Sequence, residues 1–149
     1  AFMLWIGWFG FNGGSVGSIS SKENADIVAL TIMNTNTAGL AGGLIVMILS
    51  YISYKKFDIT MMLNGALGGL VAITAGADVV SIYAPIAIGA IGGALVFYAV
   101  PFFDKLKIDD PVGALSVHLV NGIWGTIAVA LFADYSLIAQ LKGILVVAL

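Results

Sequence analysis

An all-α polytopic membrane protein is the fold class this sequence predicts, with five transmembrane helices and a partial sixth. Three observations predict it. Hydrophobic residues make up 60% of the 149 and charged residues only 9%, and the mean hydropathy is +1.08, outside the range of ordinary soluble domains. The intervals free of Asp, Glu, Lys and Arg run over 1–21, 27–54, 59–77, 79–103 and 111–133. A bilayer core takes roughly 20 residues of helix, so each interval has room for one span. Barrel strands would instead be segments of roughly 10 residues alternating polar and apolar, and these runs are continuous.

Each boundary follows from where charge and turn residues gather. Loops are expected at 18–26, 55–58, 76–83, 102–110 and 133–136, all too short for a separate soluble domain, so the chain reads as one transmembrane domain over 1–149. The apolar stretch beginning at Leu137 is cut off at Leu149, and Ala1 already lies inside an apolar run. The chain is therefore expected to be a fragment. Alternating helix directions place Lys55, Lys56, Lys105 and Lys107 on one side and Lys22 and Lys142 on the other, and the positive-inside bias makes the first side cytoplasmic. The end of the first helix then faces outward.

Glycine recurs at four-residue spacing as Gly10 with Gly14, Gly39 with Gly43, Gly65 with Gly69 and Gly89 with Gly93. Such pairs let helix backbones approach closely in a membrane. Polar side chains within the spans, Asn34 to Thr37, Asn64 and Asn121, are expected to hydrogen-bond between helices.

The only histidine, His118, falls inside the last complete span. An ionisable group within hydrocarbon is costly and normally faces a protected interior or a pathway, and a neutral imidazole can both donate and accept a hydrogen bond. Packing against a neighbouring helix is the alternative. Counted from Asp110 along a helix, His118 lies roughly 12 Å deeper. Asp110 and Pro111 suit an N-cap and a first helical turn. Asp110 differs from His118 by about 80° around the helix as well as by two turns, which argues against a direct Asp110 to His118 bond.

Near the other end, Trp8, Phe11 and Ser15 stand at i, i+3 and i+7, on one helix face. An aromatic face beside a hydroxyl can attract a cation. Interfacial anchoring of Trp explains the same pattern. With no Cys there is neither a disulfide nor a thiolate site, and with a single histidine no His-Glu-x-x-His run can form. An enzyme is thus not expected, nor a metal, nor any cofactor. The absence of Arg and of any basic cluster gives nucleic-acid binding no support.

Taken in order, WIGWFGFNGGS from Trp5 to Ser15, NTNT from Asn34 to Thr37, DDPVGALSVH from Asp109 to His118 and GIWGT from Gly122 to Thr126 resemble the ammonium transporter family (Amt/Mep/Rh), its Amt branch in particular. The resemblance implies the second inverted repeat of an eleven-helix fold and the start of the last helix. It further implies ammonium or ammonia transport through a multi-pass protein of the plasma or inner membrane. A cation would be recruited at an outer aromatic and hydroxyl site, deprotonated, and passed as ammonia along a histidine-lined apolar pore. By matching motifs, Trp8 and Ser15 correspond to recruitment residues, Phe11 to part of the pore gate, His118 to the second pore histidine and Asp110 to a structural acid. The first histidine belongs to the other half.

Leu119 and Asn121 depart from the small residues usual in the family, which raises the prospect of a narrowed pore or altered helix packing. The resemblance also implies a homotrimer and a PII-type regulatory protein on the cytoplasmic face. Two further readings stay open, an Amt-like ammonium sensor domain of a signalling receptor and an Rh-like ammonia or carbon dioxide channel.

Overall fold

The computed structural model describes residues 1–149, and its regular elements are all helices. Helix α1 spans Phe2–Gly14, α2 Lys22–Tyr54, α3 Ile59–Ile73 and α4 Ala84–Lys105; a π-helical turn, Ala114–Leu119, runs straight into α5, Val120–Phe132, and α6 covers Leu137–Ala148. Three segments are long and apolar enough to cross a membrane: α2, α4 and the continuous stretch Ala114–Phe132. At 13 and 15 residues, α1 and α3 are each only about 20 Å long.

The expected boundaries shift for identifiable reasons. Ser21 caps α2 by accepting a hydrogen bond from the Asn24 N–H at 3.1 Å, so the charged residues once placed in a loop form the helix's first turn, with Glu23 near its positive end. Charge there marks a polar surface and not a break. At the other end Lys55 adopts φ 56° and stops the helix. Asp58 caps α3 through the Met61 N–H at 2.9 Å. Helix α4 runs through Pro101 as far as Lys105, past the expected loop boundary at Phe102, although Pro101 has no N–H to give the Phe97 carbonyl.

Helices α2, α3 and α4 form the packed centre, and glycine is what lets them close. A Cβ at Gly69 or at Gly89 would run into the Ala38 carbonyl, and one at Gly65 or Gly93 would meet the Gly42 carbonyl. Two of the expected pairs thus make backbone-to-backbone contacts. In α2 the closest approach is made at Gly42, while Gly39 receives the Trp5 ring and Gly43 has ordinary contacts. Nothing lies within 4 Å of a Cβ built at Gly10 or Gly14, so that pair packs no helix in this chain.

The polar residues also divide. Asn12 donates to the Thr35 hydroxyl at 3.0 Å, joining α1 to α2. Asn34 instead holds a turn, donating to the carbonyls of Ala77 at 2.9 Å and Val80 at 3.2 Å. Both turn residues are buried, which is why α3 ends early and its connection to α4 folds inward. Asn121 donates within its own segment, to the Val117 carbonyl at 3.0 Å, and the expected interhelical bond of Asn64 is not formed.

Candidate functional site

A groove of about 630 Å³ opens between α1, α3 and the Ala114–Phe132 stretch, lined by Leu4, Trp8, Phe11, Thr74, His118 and Thr126 among others. Each wall has a local cause. On α1, Trp8 and Phe11 are one turn apart on one face, with ring centroids 6.2 Å apart and planes at 60°. At the C-terminal end of α3, the Thr74 hydroxyl donates to the Leu70 carbonyl at 2.7 Å and accepts the Trp8 indole N–H at 2.8 Å. That bond fixes the indole plane. Along the third wall His118, Gly122 and Thr126 recur every four residues, and Thr126 donates to the Gly122 carbonyl at 2.8 Å.

The His118 ring stacks on Trp8, 6.1 Å between centroids and 13° between planes. Its nitrogens make no hydrogen bond within the chain, whereas the indole N–H and both threonine hydroxyl protons in the groove are already committed. The imidazole is therefore the group here with donor and acceptor capacity to spare. His118 also borders a second hollow of about 360 Å³ between α5 and α6, which it shares with Gly122 and Thr126.

Ser15 is not in the groove. It lies exposed just past the end of α1, its hydroxyl donating to the Phe11 carbonyl at 2.7 Å. The structure brings Trp8, Phe11 and His118 together and leaves Ser15 beyond them, two turns from Trp8. A helix C-terminus carries partial negative charge, so the Ser15 end of α1 is the end that favours a cation.

Asp110 does not start a regular helix. Pro111 and Val112 form a turn, Gly113 takes φ 71°, and the helical backbone begins at Ala114. From outside that start the Asp110 carboxylate accepts the N–H groups of Leu115 at 3.0 Å and Ser116 at 2.8 Å and the Ser116 hydroxyl at 2.7 Å. Burial pushes this carboxyl up, but the bonds from Ser116, Leu115 and Ala114 outweigh it, and it titrates below the ordinary value of 3.8. His118 is consequently the fifth residue of its segment, only about 6 Å from the first, half the depth counted from Asp110.

Neither departure blocks the groove. Asn121 is fully buried on the far side, and Leu119, 49% exposed, borders the second hollow. Thr74 was invisible to sequence reasoning because it belongs to another helix. Thr126 carried a signal in its i+8 spacing from His118.

Residues 1–147 match the Ammonium Transporter Family. This chain belongs to that family. A provisionally named ammonium transporter of Synechocystis sp. is 43% identical over 99% of the chain. Among solved structures, one described as a sensor Amt protein is 39% identical over 97% of the chain, and Candida albicans Mep2 is 32% identical over 99%, both at a TM-score of 0.89. The chain spans about a third of their lengths: 34%, 38% and 36% respectively. Among these family members the shared fold is all-helical and membrane-spanning, and the chain is a partial copy of it.

Proposed function

We propose that the protein to which this chain belongs carries ammonium-derived nitrogen across a membrane, and that the Trp8 and His118 groove is one wall of its passage. The observation that carries this is a stacked imidazole with uncommitted nitrogens in an otherwise apolar groove. An ammonium ion is expensive to move through hydrocarbon, so a cation is gathered at the end of α1 near Ser15 and Phe11, gives up its proton to the histidine pair of which His118 is this chain's member, and continues as neutral ammonia. Trp8, bonded to Thr74, serves this scheme by holding the His118 ring flat against the wall. In the same scheme Trp8 serves recruitment together with Phe11, 6.2 Å away between ring centroids.

Asp110 holds the start of the His118 segment, and the first histidine of the scheme comes from sequence outside this chain. The assembly expected from the family is a homotrimer in the plasma or inner membrane, open on its cytoplasmic face to a PII-type regulator.

The test is charge movement under ammonium pulses, with the full-length protein reconstituted on a supported bilayer. Replacement of His118 by Ala is expected to change the ammonium-driven charge or its selectivity over methylammonium. Unchanged charge and selectivity would remove His118 from the mechanism. The likeness to a sensor Amt protein favours a second reading, in which occupancy of the same groove is reported to a signalling module. Ammonium binding without net charge movement would select it.

A further inference from the structure

We propose that Asn121 is a positioning residue for His118, fixing the peptide plane from which the imidazole departs. The proposal rests on the pore reading of His118 given above. Residues Ala114–Leu119 form a π turn and α5 starts at Val120, so the backbone changes register one residue after His118. Such turns insert an extra residue and are often found at functional sites.

The peptide joining Val117 to His118 is held at both polar ends. Its N–H, belonging to His118, donates to the Gly113 carbonyl at 3.0 Å, an acceptor shared with the Val117 N–H. Its C=O, belonging to Val117, accepts the Val120 backbone N–H and, as a second donor, the Asn121 side chain at 3.0 Å. The direction of the His118 side chain follows from the tilt of that plane.

The surroundings of Asn121 show that the amide has been given room. It is 0% exposed, in a slot between α3 and α4. A Cβ at Gly92 would come 2.9 Å from its Oδ1 and one at Gly68 3.1 Å from its Nδ2. Its Oδ1 has no hydrogen-bond partner, which is unfavourable for a buried acceptor. An apolar side chain of similar size would fill the slot without that cost, so the benefit of the amide lies in its donor and in the carbonyl that donor holds. Asn121 lines neither hollow, and its influence on the groove passes through the backbone.

The test compares Asn121→Ala with Asn121→Ser in full-length protein in lipid nanodiscs. Imidazole nitrogen shifts from labelled histidine are the first readout, with His118 assigned by its loss in His118→Gln, and charge movement under ammonium pulses is the second. Ser and Ala are close in volume, but a serine hydroxyl can donate to the carbonyl four residues back. Ser is expected to keep the unaltered protein's His118 shifts and charge movement, and Ala to displace the shifts and lower the charge severalfold. Should the Ala variant fail to accumulate, Asn121→Leu, which fills the slot without a donor, takes its place with the same expectation. Equal shifts in the Ser and donor-free variants, changed or unchanged, would overturn the inference. The histidine signals judge Asn121 and the unaltered protein's charge movement judges the pore reading, so the two fail separately.

Discussion

The indole of Trp8 lies almost parallel to the imidazole of His118, with 13° between planes and 6.1 Å between centroids. Trp8 is itself tied to Thr74 at 2.8 Å, so the pair is held from α3 as well as from α1. Replacing Trp8 by Leu removes the stacking face and the N–H together. In the full-length protein, apparent ammonium affinity should fall more than protein abundance does, as measured by pulse currents alongside quantitative blotting. Equal losses of both would reduce Trp8 to an anchor.

Thr74→Val separates those two contributions. It keeps the side-chain shape and the stacking face of Trp8 while stranding the Trp8 N–H. A hydrogen bond of this kind contributes about 1 kcal/mol net. The variant should lose about that much stability in thermal unfolding while retaining most of its current.

Asp110→Asn weakens the cap on the His118 segment, with an expected loss of about 1 kcal/mol at neutral pH. The carboxyl of the folded chain titrates below its ordinary 3.8. Its ionised form therefore stabilises the fold above that value, and the benefit fades as pH falls from 3.8 through the lower folded value. Unfolding followed between pH 6 and pH 3 should show the unaltered protein converging on the Asn variant at the acid end.

Gly89→Ala drives a methyl group into the Ala38 carbonyl, whereas the nearest atom to a Cβ at Gly43 is the Ala66 Cβ at 3.5 Å. The first substitution should cost about 2 kcal/mol, in line with overpacking elsewhere. The second should stay within about 0.5 kcal/mol. Thermal unfolding of both variants in one detergent decides it.

Asn34→Leu deprives the buried Ala77 and Val80 turn of its donor. Each stranded carbonyl costs about 1–3 kcal/mol. Hydrogen exchange at residues 76–80 should accelerate well before the rest of α3 is affected.

The helical class and most span positions were legible because charge avoids hydrocarbon, and that rule acts residue by residue. Helix ends were less legible. Lys22 to Asp26 and Phe102 to Lys105 look like loops by charge, yet local caps and the absence of a competing partner keep them helical. Within the site, Trp8, Phe11 and His118 could be named from type and spacing. Their convergence depends on Thr74, on the far-side slot that takes Asn121 and on the left-handed Gly113, none of which leaves a periodic trace. Asp110 with Pro111 read as an ordinary helix start because nothing in the order of residues announces a π turn.

That turn has a consequence for changes in chain length. It carries one residue more than an α turn, and the surplus lets Asp110 keep Ser116 while Asn121 keeps Val117. Deleting Leu115 would leave the strip one residue short of satisfying both. Either the carboxylate would lose its grip, or the imidazole would swing by about 100° off the indole. An indel of a single position at this spot would thus re-aim the imidazole without altering any of the side chains that line the groove.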